Sequence, residues 1–469
     1  MNATALAAPL RKLRVKPRLA LDCGLALMLL LGTHAVYTSA TGVVQLCDST
    51  YSLVTAEVLL KEGTLDLSRH IPADASALPG YNPGYGLPYH FVRSGGTGEV
   101  HYGYPLGSTF LALPWVWYHC VWKDRSTMDA AGVPRYEAEG LIQVRIAARV
   151  TALIAVLFFA LARFFVRPVP AALIAAGFAF GSPLYSTLAR SLWSHTWMVF
   201  WLTAALVMLV GLRRMANRTG KTDLLFGLGL GTSLFWAMFC RQHALFSAAA
   251  IGVYLVMHHR RVLAFTLLGG SVWVAGLVAF SLATFGTLQP PSVYSSGMMD
   301  GGEIGNRFAW LMISPTRGLL VYCPYLVVVL GLLLGARKRL ADAGLLLPAG
   351  LAFAAHSLVI ASFTGWHANW AYGPRYYCDL LPWFALLTAM AAGALPESPR
   401  LRVAATALLA LCFAWGIFVH HHGANSREAW MWNDLARVAG NEGSVKDWKH
   451  PQFLAGLTFE VLPDGTVKE

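Results

Sequence analysis

Runs of about twenty residues with almost no charge recur from one end of the chain to the other, as in "VTALIAVLFFALA" (150–162) and "LAFTLLGGSVWVAGLVAFSLATF" (263–285). A lipid bilayer offers no partner to an unpaired backbone N–H or C=O, so runs of this kind must cross as helices. Candidate spans fall at 19–44, 141–165, 171–189, 194–212, 223–239, 243–258, 262–286, 317–335, 343–363, 377–395 and 403–420, eleven in all. The expected fold class is an all-α polytopic membrane protein. Composition agrees, with 56% hydrophobic and only 13% charged residues. A formal net charge of +12 would suit nucleic acid, but the basic residues gather just beyond the ends of apolar runs. That is how cytoplasmic loops are marked, and nucleic acid is not an expected partner.

The basic clusters also set sidedness. Arg11–Arg18, Arg163/Arg167, Arg213/Arg214/Arg218/Lys221, Arg260/Arg261, Arg337/Lys338/Arg339 and Arg400/Arg402 fall together on the cytoplasmic side if "YPLGSTFLALPWVWYHCVW" (104–122) does not cross. A span there would move most of them outside, against the charge bias. Residues 104–122 are therefore expected to form an interfacial or re-entrant helix, with Pro105 and Pro114 shaping its ends. The organisation that follows is a cytoplasmic basic N-terminus (1–18), a transmembrane domain (19–420) with a long first outer loop (45–140), and an outer C-terminal tail (421–469). The apolar run after "RKLRVKPR" continues to about Val44 without an early small-x-small site, so it is expected to be retained as the first helix. "GFAFG" (177–181), "GLGLG" (227–231) and "GLLLG" (331–335) are expected to be close-packing helix faces.

The outer side collects single arginines at helix ends beside aromatic rings: "LARSLWSHTW" (188–197), "SPTRGLLVYCPY" (314–325) and "WHANWAYGPRYY" (366–377). An arginine near a bilayer is costly unless it snorkels or meets an anion, and several converging would clamp a phosphate. Gly373 and Pro374 are expected to set a rigid turn before a helix start, whose free N–H groups join Arg375 around that anion. Arg241, between two spans, either joins it or caps a hairpin, the latter being preferred. Asp48 opens the helical pattern "DSTYSLVTAEVLL" (48–60) and reads either as its N-cap or as an acid with chemistry to do. Glu57, nine residues on, points the other way round a helix and is expected to be solvated. "HHH" (420–422) reads as a surface cluster. The seven cysteines are dispersed small core residues, with a Cys47–Cys120 bridge open only if both face an oxidising compartment.

Four stretches in order, "QLCDSTYSLVTAEVLLKEGTLDL" (45–67), "HYGYPLGSTFLALPWVW" (101–117), "SPTRGLLVYCPYLVVVL" (314–330) and "GWHANWAYGPRYYCDLLPW" (365–383), resemble the GT-C superfamily of membrane glycosyltransferases. The resemblance implies a bacterial plasma-membrane enzyme that moves a sugar, with inversion, from a polyprenyl-phosphate donor to a lipid, glycan or protein acceptor. It implies catalysis by Asp48, and donor or carrier-phosphate binding by Arg375, Arg317, Arg190, His195 and Tyr104. Asp48 is followed by Ser49 rather than a second acid, and the second outer loop offers Arg190 and His195 where many members carry an acid. A divalent cation therefore stays open as a cofactor, and no metal ligand is assigned. Two other classes compete. A lipid-linked sugar transporter or flippase calls for charged or broken helices at mid-membrane and symmetric halves. An O-antigen polymerase or ligase calls for its large outer loop late in the chain.

Overall fold

The computed structural model describes residues 17–40, 43–94, 97–293, 299–338, 340, 342–438, 441–462 and 466–468. Of the basic clusters, residues 11–16 and Arg339 lie outside the described residues. The described chain is mostly helical. In order it forms α1 (Pro17–Ser39), α2 (Ser52–Glu62), α3 (Gly107–Val116), α4 (Tyr136–Arg163), α5 (Pro168–Phe180), α6 (Ser194–Arg214), α7 (Gly220–Cys240), α8 (Ala244–His258) and α9 (Arg260–Phe285). There follow α10 (Ile304–Ile313), α11 (Leu319–Tyr322), α12 (Tyr325–Ala336), α13 (Leu346–Ala361), α14 (Leu381–Gly393), α15 (Pro399–Asn425), α16 (Arg427–Val438) and α17 (Asn441–Lys446). Short antiparallel ribbons also occur, pairing Tyr81–Asn82 with Leu87–Pro88, and Phe91–Arg93 with Val100–Tyr102. The segment 78–90, rich in turn-forming residues, thus contains a small hairpin.

Among the described residues, seven helices are long and apolar enough to cross a membrane: α1, α4, α6, α7, α9, α13 with the turn before it, and α15. The other four candidate spans hold shorter apolar helices: α8 fills the 243–258 run, which is itself short, and prolines and glycines divide the other three. The 171–189 run stops as an α-helix at Phe180, before Gly181 and Pro183, and resumes as a wide turn over Leu184–Leu188. The 317–335 run is divided before Pro324, and the 377–395 run begins as a 3-10 turn, Arg375–Leu380, before Pro382 opens α14.

The bundle has two chemically different ends. At 28 residues, α4 runs about 42 Å from its start beside the first loop to Arg163. The Arg163 end is laced by ion pairs: Arg163 with Asp22 at 2.7 Å, Arg214 with Asp342 at 2.6 Å, and Arg218 with Asp223 at 2.7 Å. The opposite end carries the first loop, the start of α6, the Cys240 end of α7 and the C-terminal tail. Helix α3 lies at this end. A Cβ on Gly107 would sit 2.6 Å from the Cys240 nitrogen, so the two backbones touch there. Pro114 falls inside α3 rather than at its end, and the chain continues as a wider π-helical stretch, Trp117–Trp122.

Two of the three glycine faces are close-packing faces. A Cβ on Gly231 would overlap the Thr266 carbonyl oxygen of α9, and one on Gly177 would sit 2.9 Å from the Phe413 ring of α15. Gly331 and Gly335 differ: a Cβ added at either would meet nothing within 4 Å, so that face of α12 is open. Gly231→Ala is therefore expected to destabilise by about 1–3 kcal/mol through overpacking. Gly331→Ala, mid-helix and unobstructed, is expected to stabilise by up to about 1 kcal/mol. Thermal melting of the two purified variants in one detergent checks the opposite signs.

Candidate functional site

Asp48 is not the cap of α2. The helix begins at Ser52, after Tyr51 turns left-handed at φ 71°. The carboxylate that closes it comes from α4: Glu139 accepts from the backbone N–H of Tyr51 at 2.8 Å and of Leu53 at 2.9 Å. With the cap supplied from elsewhere, Asp48 is left to another role, and the residues around it are pinned. Gln45 donates from its backbone to Arg190 O at 3.1 Å and from its side chain to Ser186 O at 2.7 Å. Ser49 Oγ lies 2.7 Å from Ser191 Oγ, and Gln143 donates to Ser49 O at 2.8 Å. On the other side, Tyr102 donates to Asp48 O at 2.5 Å, and His90 Nε2 lies 2.8 Å from Cys47 O.

Facing Asp48 is Arg375. Its guanidinium lies over the Trp193 ring at 4.6 Å from the centroid, with the Tyr376 ring at 5.5 Å. The side chain is 5% exposed, and its Nη1 is 3.4 Å from Asp48 Oδ2. That contact is an ion pair without hydrogen-bond geometry: Nε and Nη1 are buried and find no acceptor among the described residues. Burial pushes the Asp48 carboxyl up, but Arg375, then Arg241 and His195, more than reverse this, so it titrates below the ordinary carboxylate value. The expected turn is present, with Gly373 at φ 59° against the Tyr322 ring. The expected backbone donor is not free, because Arg375 N–H bonds Gly373 O at 2.9 Å. Any anion here meets the side chain rather than a helix end.

Behind this pair lies a second one that the sequence pattern does not single out. Asp379 sits four residues after Arg375, 2% exposed. Its Oδ1 is 2.5 Å from His195 Nδ1, and its Oδ2 is 2.7 Å from Arg241 Nε. Arg241 also donates to Ser194 Oγ at 3.2 Å. Arg241 thus belongs to the cluster rather than merely capping the turn between α7 and α8. His195 keeps Nε2 buried with no hydrogen-bond partner among the described residues. The spacing of Arg375 and Asp379 by one turn is the available signal for the second acid. It is obscured because Asp379 stands inside an apolar run that reads as a span.

The other candidates fall elsewhere. Arg190 is fully buried and donates to the carbonyls of Tyr37 and Ala40, anchoring the end of α1. Arg317 donates to His367 O at 2.8 Å, Asn369 O at 3.1 Å and Asn433 Oδ1 at 3.0 Å, and also bonds Gln452 Oε1. The terminal nitrogens of both guanidiniums are taken by protein acceptors and tie segments together, while Arg190 Nε is buried without a partner among the described residues. Tyr104 packs on Tyr102 and His90, beside the loop that holds Asp48.

Glu57 is buried, not solvated: it accepts from Thr127 N at 2.7 Å, Thr127 Oγ1 at 2.6 Å and Ser126 Oγ at 2.7 Å, and pairs with Lys61. The first loop folds back over α2 and covers it. Of "HHH", His420 is inside, with Nδ1 2.7 Å from Ser186 Oγ, while His421 is exposed and the half-buried His422 reaches Ala455 O. Cys47 and Cys120 are unbridged, as are the other cysteines. Among the described residues no three His, Cys, Asp or Glu side chains group to hold a metal ion. Asp48 and Asp379 each face an arginine instead, a donor set that does not suit a divalent cation.

No protein-family model matches the chain, and no curated protein matches it. The geometry itself separates two kinds of buried arginine. Arg317→Met, which strands buried carbonyl and amide oxygens, is expected to cost about 3 kcal/mol or more. Replacing the Asp48–Arg375 pair together by apolar side chains of similar volume, Asp48→Leu with Arg375→Met, is expected to be neutral or to stabilise by about 1–4 kcal/mol, since a poorly bonded ion pair does not offset its own desolvation. Melting curves of the two proteins test both signs.

Proposed function

We propose that the protein is a membrane glycosyltransferase that moves a sugar from a polyprenyl-phosphate donor to an acceptor hydroxyl, with inversion, at the outer face of a bacterial plasma membrane. The observation that carries the reading is a carboxylate and a buried, under-bonded guanidinium 3.4 Å apart at one end of an apolar helix bundle. The resemblance of the four stretches around Asp48, Tyr104, Arg317 and Arg375 to the GT-C superfamily supports the same reaction class. Acceptor and final location rest on that resemblance alone.

The chemistry asks for little else. A sugar phosphate carries its own leaving group, so no strong general acid is needed. The acceptor oxygen bonds to the anomeric carbon as the bond from that carbon to the phosphate oxygen breaks. The acceptor's proton passes to Asp48, and the electron pair leaves with the lipid phosphate. Arg375, with Arg241 behind it, stabilises the charge that develops there. Attack from the side opposite the phosphate inverts the centre.

Arg375 has a double duty in this scheme. Its charge faces Asp48 and holds the carboxyl low, which makes a weak base. A donor phosphate that pairs with Arg375 draws that charge away and leaves Asp48 more basic at the moment the base is needed. His195, held at Nδ1 by Asp379, has Nε2 available to the same phosphate. No step is routed through a metal.

Membranes carrying wild type or Asp48→Asn, supplied with radiolabelled polyprenyl-phosphate sugars, test the assignment. Transfer by the variant is expected to fall by about 10²–10⁴-fold. Wild-type membranes that transfer no such sugar to any acceptor would end the enzyme reading, and a fully active variant would end the role of Asp48.

A pH profile separates the base from its regulator. Arg375 is the largest influence lowering Asp48 and burial is the opposing one, so Arg375→Gln raises the Asp48 carboxyl. In the wild type, the acid limb of kcat/KM assigned to Asp48 is expected below the ordinary carboxylate value of about 3.9. In Arg375→Gln it moves to higher pH. An acid limb in the same place in both proteins would remove this coupling.

A further inference from the structure

A deep cleft lies away from Asp48. It measures about 1350 Å³, opens at the Arg163 end of the bundle and runs between α5 and α15, with the end of α14 as its floor. Its shape follows from one crossing. A Cβ on Gly416 would sit 2.6 Å from the Gly181 carbonyl oxygen, so α15 touches α5 there, and α15 buries only residues from Gly416 onward. From that crossing back to Pro399 the two helices diverge, and the wall between them is formed by residues such as Ala176, Phe413 and Ala410.

The wall is overwhelmingly apolar, while its mouth is lined by Arg163 and Arg167. Arg163 is committed, donating to Asp22 and to Val166 O. Arg167 is exposed and precedes α5 without capping it. On the facing helix Arg402 is committed, donating to Pro396 O and Glu397 O, which leaves Arg167 as the basic group at the mouth. Within the hydrocarbon layer no water is at hand to fill an apolar space, and packed proteins do not leave large voids there. The occupant must therefore bring hydrocarbon to the wall and negative charge to the mouth.

We propose that this cleft is a binding site for an anionic phospholipid, with its acyl chains between α5 and α15 and its headgroup phosphate at Arg167. The site is separate from the Asp48 cluster, and its occupancy does not depend on the reaction assigned there. The lipid takes the place of the helix contact that α15 lacks along its first half.

Native mass spectrometry of the full chain, released from micelles containing equal phosphatidylglycerol and phosphatidylcholine, tests this. The wild type is expected to retain phosphatidylglycerol about fivefold over phosphatidylcholine, the worth of one basic side chain at an anionic surface. Arg167→Gln is expected to equalise the two lipids. Ala410→Trp, on an exposed position of α15, is expected to fill the cleft and retain neither. Equal retention of both lipids by the wild type, or undiminished phosphatidylglycerol on Ala410→Trp, would overturn the proposal. So would stoichiometric displacement of phosphatidylglycerol by added polyprenyl phosphate, which would assign the cleft to a carrier lipid. Because no sugar transfer is read, failure here leaves the Asp48 assignment untouched.

Discussion

Glu139 holds the first loop against the bundle. Its two oxygens take the backbone N–H groups of Tyr51 and Leu53, while Gln143 one turn later donates both to Glu139 at 3.0 Å and to Ser49 O at 2.8 Å. A helix start buried in protein must have its free N–H groups satisfied, and here the satisfaction comes from another helix. The consequence is positional. α2 is fixed on the start of α4, so the four residues before it are fixed too, and Asp48 projects toward the starts and ends of α6, α7 and the turn before α14. Without that long-range cap Asp48 would have been the nearest acid to serve α2, and its carboxylate would face the helix rather than Arg375.

The cluster itself is a problem in charge. Two carboxylates, Asp48 and Asp379, stand with two guanidiniums, Arg375 and Arg241, in a mostly buried space. The inner pair is well made: Asp379 receives Arg241 and His195 with short contacts on both oxygens. The outer pair is not, since Arg375 reaches Asp48 at 3.4 Å and leaves Nε and Nη1 without acceptors among the described residues. A buried charge with unmade hydrogen bonds is expensive, and its retention points to a binding partner that completes them. The two pairs differ in saturation: the inner one has its acceptors filled, and the outer one keeps donors that an incoming anion would complete.

Much of the architecture is legible in the sequence because one rule governs it. Each apolar run contains a helix, since hydrocarbon leaves a chain few other choices. What cannot be read is where proline and glycine divide a run, as at Pro324 and Gly181, because a broken helix keeps its apolar composition. Asp48 and Arg375 are legible as a pair only through order and expected sidedness. Asp379 is not, since a single acid inside an apolar stretch carries no periodic signal. Glu57 and His420 defeat the sequence pattern for one reason: helical angle predicts facing relative to a helix axis but not what another segment lays over that face. The first loop covers Glu57, and the Ser186 turn covers His420.

Accounting for acceptors, rather than counting arginines, is what separates function from framework at this end of the molecule. By sequence, Arg190, Arg317 and Arg375 are equivalent, each a lone cation at a helix end beside aromatic rings. In the structure Arg190 commits its terminal nitrogens to the carbonyls that end α1, and Arg317 binds acceptors from one distant loop and the tail. Such arginines replace water for backbone groups that the fold has buried, and an incoming phosphate would have to break those bonds to reach them. Arg375 has aromatic faces on its flat sides and a carboxylate at one edge, neither of which saturates its donors. In the proposed reaction a phosphate would bind Arg375 by completing its hydrogen bonds, and in doing so would weaken the contact with Asp48.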